Sequence, residues 1–151
     1  GSGALSFASM PAGGLSMADN WRWTTEFTQS NTTNYLTTTS SWERPDSKLG
    51  IGANPLGTGM TQSGGIFSFP STGYYLIHFM TSSKVARSLD TIQNQCTPNF
   101  TSTSIQYLAR VTNISNHKVR FRVQNSGISV TWMGETDENR IAATFLKVGD
   151  I

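Results

Sequence analysis

Charge is scarce in this chain: Lys and Arg total 11, Asp and Glu total 9, and together they make up 13% of 151 residues. A formal net charge of +2, with no Lys/Arg block, exerts little pull on a polyanion and excludes nucleic acid as the expected partner. Cys96 is the one cysteine, so no intrachain disulfide staples the fold and stability must come from packing or from partner subunits. It lies in Gln95-Cys96-Thr97-Pro98 without an adjacent His and is assigned no role. No apolar run is long enough for membrane insertion, no stretch sustains helical periodicity, and no internal repeat is visible. A nucleophile elbow, a phosphate loop, a paired Cys motif and a His-Glu-x-x-His run are all missing.

The chain is instead rich in hydroxyls, with 20 Thr and 19 Ser, a composition that favours strands over helices. In Gly64 to Phe79, Phe67 and Phe69 and then Tyr75, Ile77 and Phe79 recur at every second position on either side of Pro70-Ser71-Thr72-Gly73. That period is a strand's. Pro70 cannot donate to a ladder, and Gly73 reaches backbone angles closed to other residues, so both belong to the corner. Short β runs continue along the chain: Trp21 to Thr28, Asn34 to Trp42, Gly65 to Phe69, Tyr74 to Ser82, Ser104 to Thr112, Lys118 to Gln124, Ser129 to Met133 and Ala142 to Val148. Eight strands predict an all-β fold, a two-sheet antiparallel jelly-roll sandwich. In Lys118 to Gln124, Val119, Phe121 and Val123 turn to the core while Lys118, Arg120, Arg122 and Gln124 face water. The Asn125-Ser126-Gly127 turn predicts a hairpin back into Ser129 to Met133.

A single domain is expected over residues 19–151. Residues 1–18, uncharged and built of small and weakly apolar residues, read as a flexible lead or an arm that orders against another subunit. They lack the basic start and continuous apolar run of a secretory signal. Glu43 to Met60, with its Pro and Gly, and Ser83 to Thr103 are the expected surface loops, where contacts can vary without disturbing a rigid core.

Tyr74 to Met80 is apolar on both faces: Tyr75, Ile77 and Phe79 point one way, Tyr74, Leu76 and Met80 the other. A two-layer sandwich covers one face of each strand, so the second apolar face predicts a packed neighbouring subunit. The order of glycine, aromatics, Phe69-Pro70, Gly73-Tyr74-Tyr75 and Phe79 resembles the central signature of complement globular heads in the tumour-necrosis-factor-like jelly-roll superfamily. The resemblance covers about residues 20 to 150. It implies a homotrimer around a threefold axis with aromatic residues at the contact; pattern and resemblance together place Tyr74, Leu76, Tyr107 and Phe145 there. The ending Thr144-Phe145-Leu146-Lys147-Val148-Gly149-Asp150 departs from the animal members and is similar to structural proteins of tailed-bacteriophage virions.

Catalysis is not expected. His78 lies in an apolar strand and His117 in a polar turn, each without a carboxylate or nucleophile nearby in sequence. No cofactor is expected, although Glu135, Asp137 and Asn139 offer oxygen ligands at the spacing a calcium ion could use; a solvated turn is the plainer reading. Trp42, as a sugar-stacking platform, and Arg120 and Arg122, as an anion-facing pair, are the candidate ligand-binding residues. The expected function is a non-enzymatic virion module: a decoration, fibre head or receptor-contacting knob that meets other virion proteins, a host-surface receptor or a glycan. The alternatives are a secreted, extracellular complement-like or cytokine-like receptor-binding domain and a carbohydrate-binding lectin domain.

Overall fold

A computed structural model describes residues 14–30, 32–46, 54–85, 99–125 and 128–151. Residues 1–13, Cys96, and the central parts of both predicted loops lie outside the described residues. The strands are β1 (Met17–Trp23), β2 (Phe27–Ser30), β3 (Thr33–Tyr35), β4 (Trp42–Glu43), β5 (Thr61–Ser63), β6 (Ile66–Ser68), β7 (Gly73–Val85), β8 (Asn99–Val111), β9 (Lys118–Arg120), β10 (Arg122–Gln124), β11 (Ser129–Trp132) and β12 (Ala142–Gly149). Every ladder among them is antiparallel.

The large sheet runs β8-β7-β12-β1-β4, and β11, with β2 on its far side, takes over the edge of β7 beyond the end of β12. Opposite it stand β5-β6-β9 and the pair β3-β10. The core between the sheets is aromatic. Phe67 is wholly enclosed and lies 5.6 Å from Trp21, 5.1 Å from Trp42, 5.6 Å from Phe121 and 5.2 Å from Phe145, ring centre to ring centre. Phe79 stacks on Phe121 at 4.4 Å. Such pairs add to the burial of apolar area itself.

Several boundaries differ from the sequence expectation, each for a physical reason. β1 starts at Met17, because Met17 and Ala18 pair with Lys147 and Leu146 of β12 and Met17 is buried. The run Asn34 to Trp42 is broken: β3 joins the small sheet, a 3-10 turn at Thr39–Ser41 intervenes, and Trp42 pairs with Trp23 in the large sheet. The Trp42 indole donates to the Leu36 carbonyl at 2.8 Å, closing that crossover. β5 and β6 form a hairpin through Gly64 and Gly65, at φ of 57° and 69°, the left-handed pair that a tight two-residue turn needs. β7 and β8 extend into the expected loop, where hydroxyl residues pair across the ladder, as Ser82 and Ser102 do with oxygens 3.2 Å apart.

The C-terminal hairpin is a correction. β11 pairs with β2 and β7, not with β10. Asn125 donates to the carbonyls of Gln29 and Ile128 at 3.3 and 2.5 Å, turning the chain from one sheet to the other.

A buried charge fixes the strand next to the Pro/Gly-rich loop. The Asp19 carboxylate accepts from the Trp21 indole (2.9 Å), Arg44 Nε (2.9 Å), Arg44 Nη2 (3.0 Å) and the Met60 amide (2.7 Å). The Arg44 guanidinium lies over the Trp21 ring at 4.3 Å. Every oxygen of a buried carboxylate needs such partners, so this network ties both ends of the loop to β1.

Candidate binding surfaces

Antiparallel partners share a face, so the ladder registers define rows across the outer side of the large sheet. One row is apolar across four strands: Leu108 of β8, Leu76 of β7, Leu146 of β12 and Ala18 of β1. The next is polar, with Gln106, His78, Thr144 and Asn20. Tyr74 and Arg110 make a row on the other side of the leucines. Tyr74 is 37% exposed and Leu108 61%, while Leu76 and Leu146 are half-buried.

The predicted trimer-contact residues therefore separate. Tyr74 and Leu76 stand on this outer face. Tyr107 pairs with Ile77, whose side chain enters the core, and so projects from the opposite face of the sheet. Phe145 is a correction: it is fully buried among Phe67, Phe121 and the rest of the core and has no surface to offer. Leu146 and Leu108 complete the row with Leu76, and the alternation through Phe145-Leu146 and Tyr107-Leu108 carries the signal: the neighbour of a core residue faces out.

Trp42 is likewise corrected. It is 4% exposed, packed on Trp23, Phe67 and Phe121, and its indole N–H is spent on Leu36, so it cannot stack on a sugar. Arg120 and Arg122 are exposed, as expected from the alternation of their strand; Arg120 lies over the Tyr35 ring at 4.1 Å across the small sheet. At the acidic turn, Glu135 accepts from the Thr136 amide at 2.9 Å and Glu138 accepts from Arg140 Nε at 2.7 Å. That hydrogen bond holds the half-buried Arg140 guanidinium above its ordinary range. The carboxamide oxygen of Asn139 is buried without a hydrogen-bond partner among the described residues. No group of three or more acidic, His or Cys residues fit to hold a metal occurs among the described residues.

His117 accepts the Thr112 amide through Nδ1 at 3.2 Å and closes the β8–β9 turn, beside the Asn113 carboxamide, which accepts from the Ser115 and Asn116 amides at 2.9 and 3.2 Å. These are turn contacts.

The second surface lies along β8 on its inner side. Ile105 and Tyr107 are 62% and 67% exposed although their partners Phe79 and Ile77 are core residues. The small sheet ends before it reaches β8.

No family model and no curated protein matches the sequence. Solved structures do. The chain is similar to the Eiger TNF of S. frugiperda (12% identity, TM-score 0.50), with 89% of this chain and 93% of that one covered. It is also similar to the PRD1 vertex protein P5 (14% identity, TM-score 0.51), with 90% and 99% covered. At these identities the likeness concerns the fold, and the chain has an all-β, antiparallel, TNF-like jelly roll.

Proposed function

We propose that this chain is a non-enzymatic structural or binding module of a virion, acting as a homotrimer whose copies meet through the outer face of the large sheet. The apolar row Leu108, Leu76, Leu146 and Ala18 carries the reading. A face of this kind in water gains free energy when it is covered, at about 25 cal/mol per Å² of apolar area. Tyr74 borders it and the His78–Asn20 row supplies polar groups beside the leucines, the mixture of apolar core and polar rim that subunit contacts use. A neighbour named as a vertex protein supports the virion reading. In this reading the module performs no catalytic step and holds no cofactor. Three copies on one axis present equivalent loops, and avidity, not any single strong contact, secures the partner, a virion protein, a host-surface receptor or a glycan.

Light scattering on the purified chain tests the reading. A mass three times that of the chain, reduced to a single chain by Leu76→Arg with the fold retained, is the expected outcome. A wild-type chain that stays single at micromolar concentration overturns it. The likeness to Eiger TNF supports a second reading, a secreted receptor-binding domain with the same trimer; recovery of the chain from purified particles separates the two.

A further inference from the structure

The open side of the sandwich is a continuous trough. Three cavities of about 310, 390 and 260 Å³ follow one another between β8 and β9–β10, sharing Ile77, Phe79, Ile105 and Tyr107 between neighbours. Both flanks are unpaired strand edges among the described residues. β8 pairs with β7 along all 13 of its residues and with nothing on its other side. β9 pairs with β6 and β10 with β3. Leu36 and Gly65, where β3 gives way to β6, touch each other, so these ladders use one edge and leave the other free. The floor is apolar toward Phe121 and turns polar toward Thr81, Ser83 and the Trp132 indole, whose buried N–H has no hydrogen-bond partner among the described residues. Arg110, Lys118, Arg120 and Arg122 border the trough from the outward faces of their strands, where Lys118 donates to Ser68 at 2.8 Å and Arg120 lies over the Tyr35 ring, and no carboxylate occurs among the residues lining it.

We propose that this trough binds an extended, acidic segment of another protein, which adds as a strand to the free edge of β8 and drops alternate apolar side chains into the cavities. A row of unpaired backbone N–H and C=O groups is satisfied by another strand; a helix has none to give. The two-residue period of such a strand suits an apolar floor that faces one side only. These cations, which no carboxylate lining the trough offsets, select an acidic partner and oppose a second copy, since β8-to-β8 pairing sets one basic rim against another. The trough lies on the opposite face of β8 from the leucine row, so the proposal stands apart from the trimer reading.

The probe is a fluorescent peptide of about eight residues alternating Ile or Val with Glu or Asp, followed by anisotropy. Its controls are the same peptide with lysines in place of the acids and one with two internal prolines. The acidic peptide is expected to bind, the lysine peptide at least about tenfold more weakly, and the proline peptide not at all, since proline removes ladder donors. Amide exchange on β8 slows when the acidic peptide is present. Tyr107→Glu, at an exposed position, weakens binding by at least about tenfold with the melting temperature unchanged. The proposal is overturned if the acidic peptide does not bind, if the lysine or proline peptide binds as well, or if Tyr107→Glu leaves peptide binding unchanged. It is equally overturned if Tyr107→Glu lowers the mass of the chain, which makes the trough a contact between copies.

Discussion

The two ends of the large sheet carry the same alternation and meet opposite fates. At β1 and β12, every second residue is sealed: Trp21, Trp23, Ala143 and Phe145 are buried against Phe67, Trp42 and Phe121. At β8, Ile105 and Tyr107 hold the same inward phase and lie more than half exposed. The difference is what stands across the sandwich. The small sheet covers β1, β12 and β7 and stops short of β8, so periodicity decides which way a side chain points, and the opposing layer decides whether it is buried.

Substitutions that treat the two ends alike sharpen this comparison. Phe67→Ala, at the sealed end, should cost about 3–5 kcal/mol, read as a fall in urea midpoint. Asp19→Ala should cost about 3 kcal/mol, because it removes one partner of a buried charge pair and strips the Trp21 and Met60 N–H groups of their acceptor. Hydrogen exchange should show the Met60 amide opening first, and an unchanged exchange rate there would refute the clamp. Gly65→Ala should cost about 1–3 kcal/mol, since a Cβ would approach the Leu36 carbonyl oxygen within 2.0 Å at a φ of +69°; a thermal melt measures it. Tyr107→Ala, at the open end, should stay within about 1 kcal/mol in the isolated chain. A loss there as large as that of Phe67→Ala would mean that the trough is already filled, and the comparison would collapse.

Much of the core was legible. The alternation through Phe67, Tyr75, Ile77, Phe79, Phe121 and Val123 identified side chains that are all buried, because a strand permits two directions and aromatic residues on one of them have a large area to remove from water. Pro70 marked the corner correctly, whereas Gly73 is already the first residue of β7, paired with Val111 at a φ of +146°. The surfaces were less legible. Trp42 was offered as a platform because an indole serves either to pack or to stack, and the choice depends on Leu36 and Phe121, distant or out of register in sequence. Phe145 was set at the contact by pattern and resemblance together, whereas its phase in β12 places it with Ala143 in the core. The β11 error has a similar origin: a turn sequence at Asn125 predicts reversal, while Asn125 in fact bridges to Gln29, 96 positions away.

The sequence by itself determined the class of fold, the direction of the side chains along β7 and β9–β10 and the corner at Pro70, because these follow from local backbone sterics and a two-residue period. Only the tertiary structure decided which strands pair, that Asp19 gathers Trp21, Arg44 and Met60, that four residues from four strands make an apolar row, and that β8 has no second strand beside it among the described residues. Those depend on contacts between residues far apart in the chain, whose formation rests on the summed burial of the whole core and leaves no periodic mark in the segments themselves.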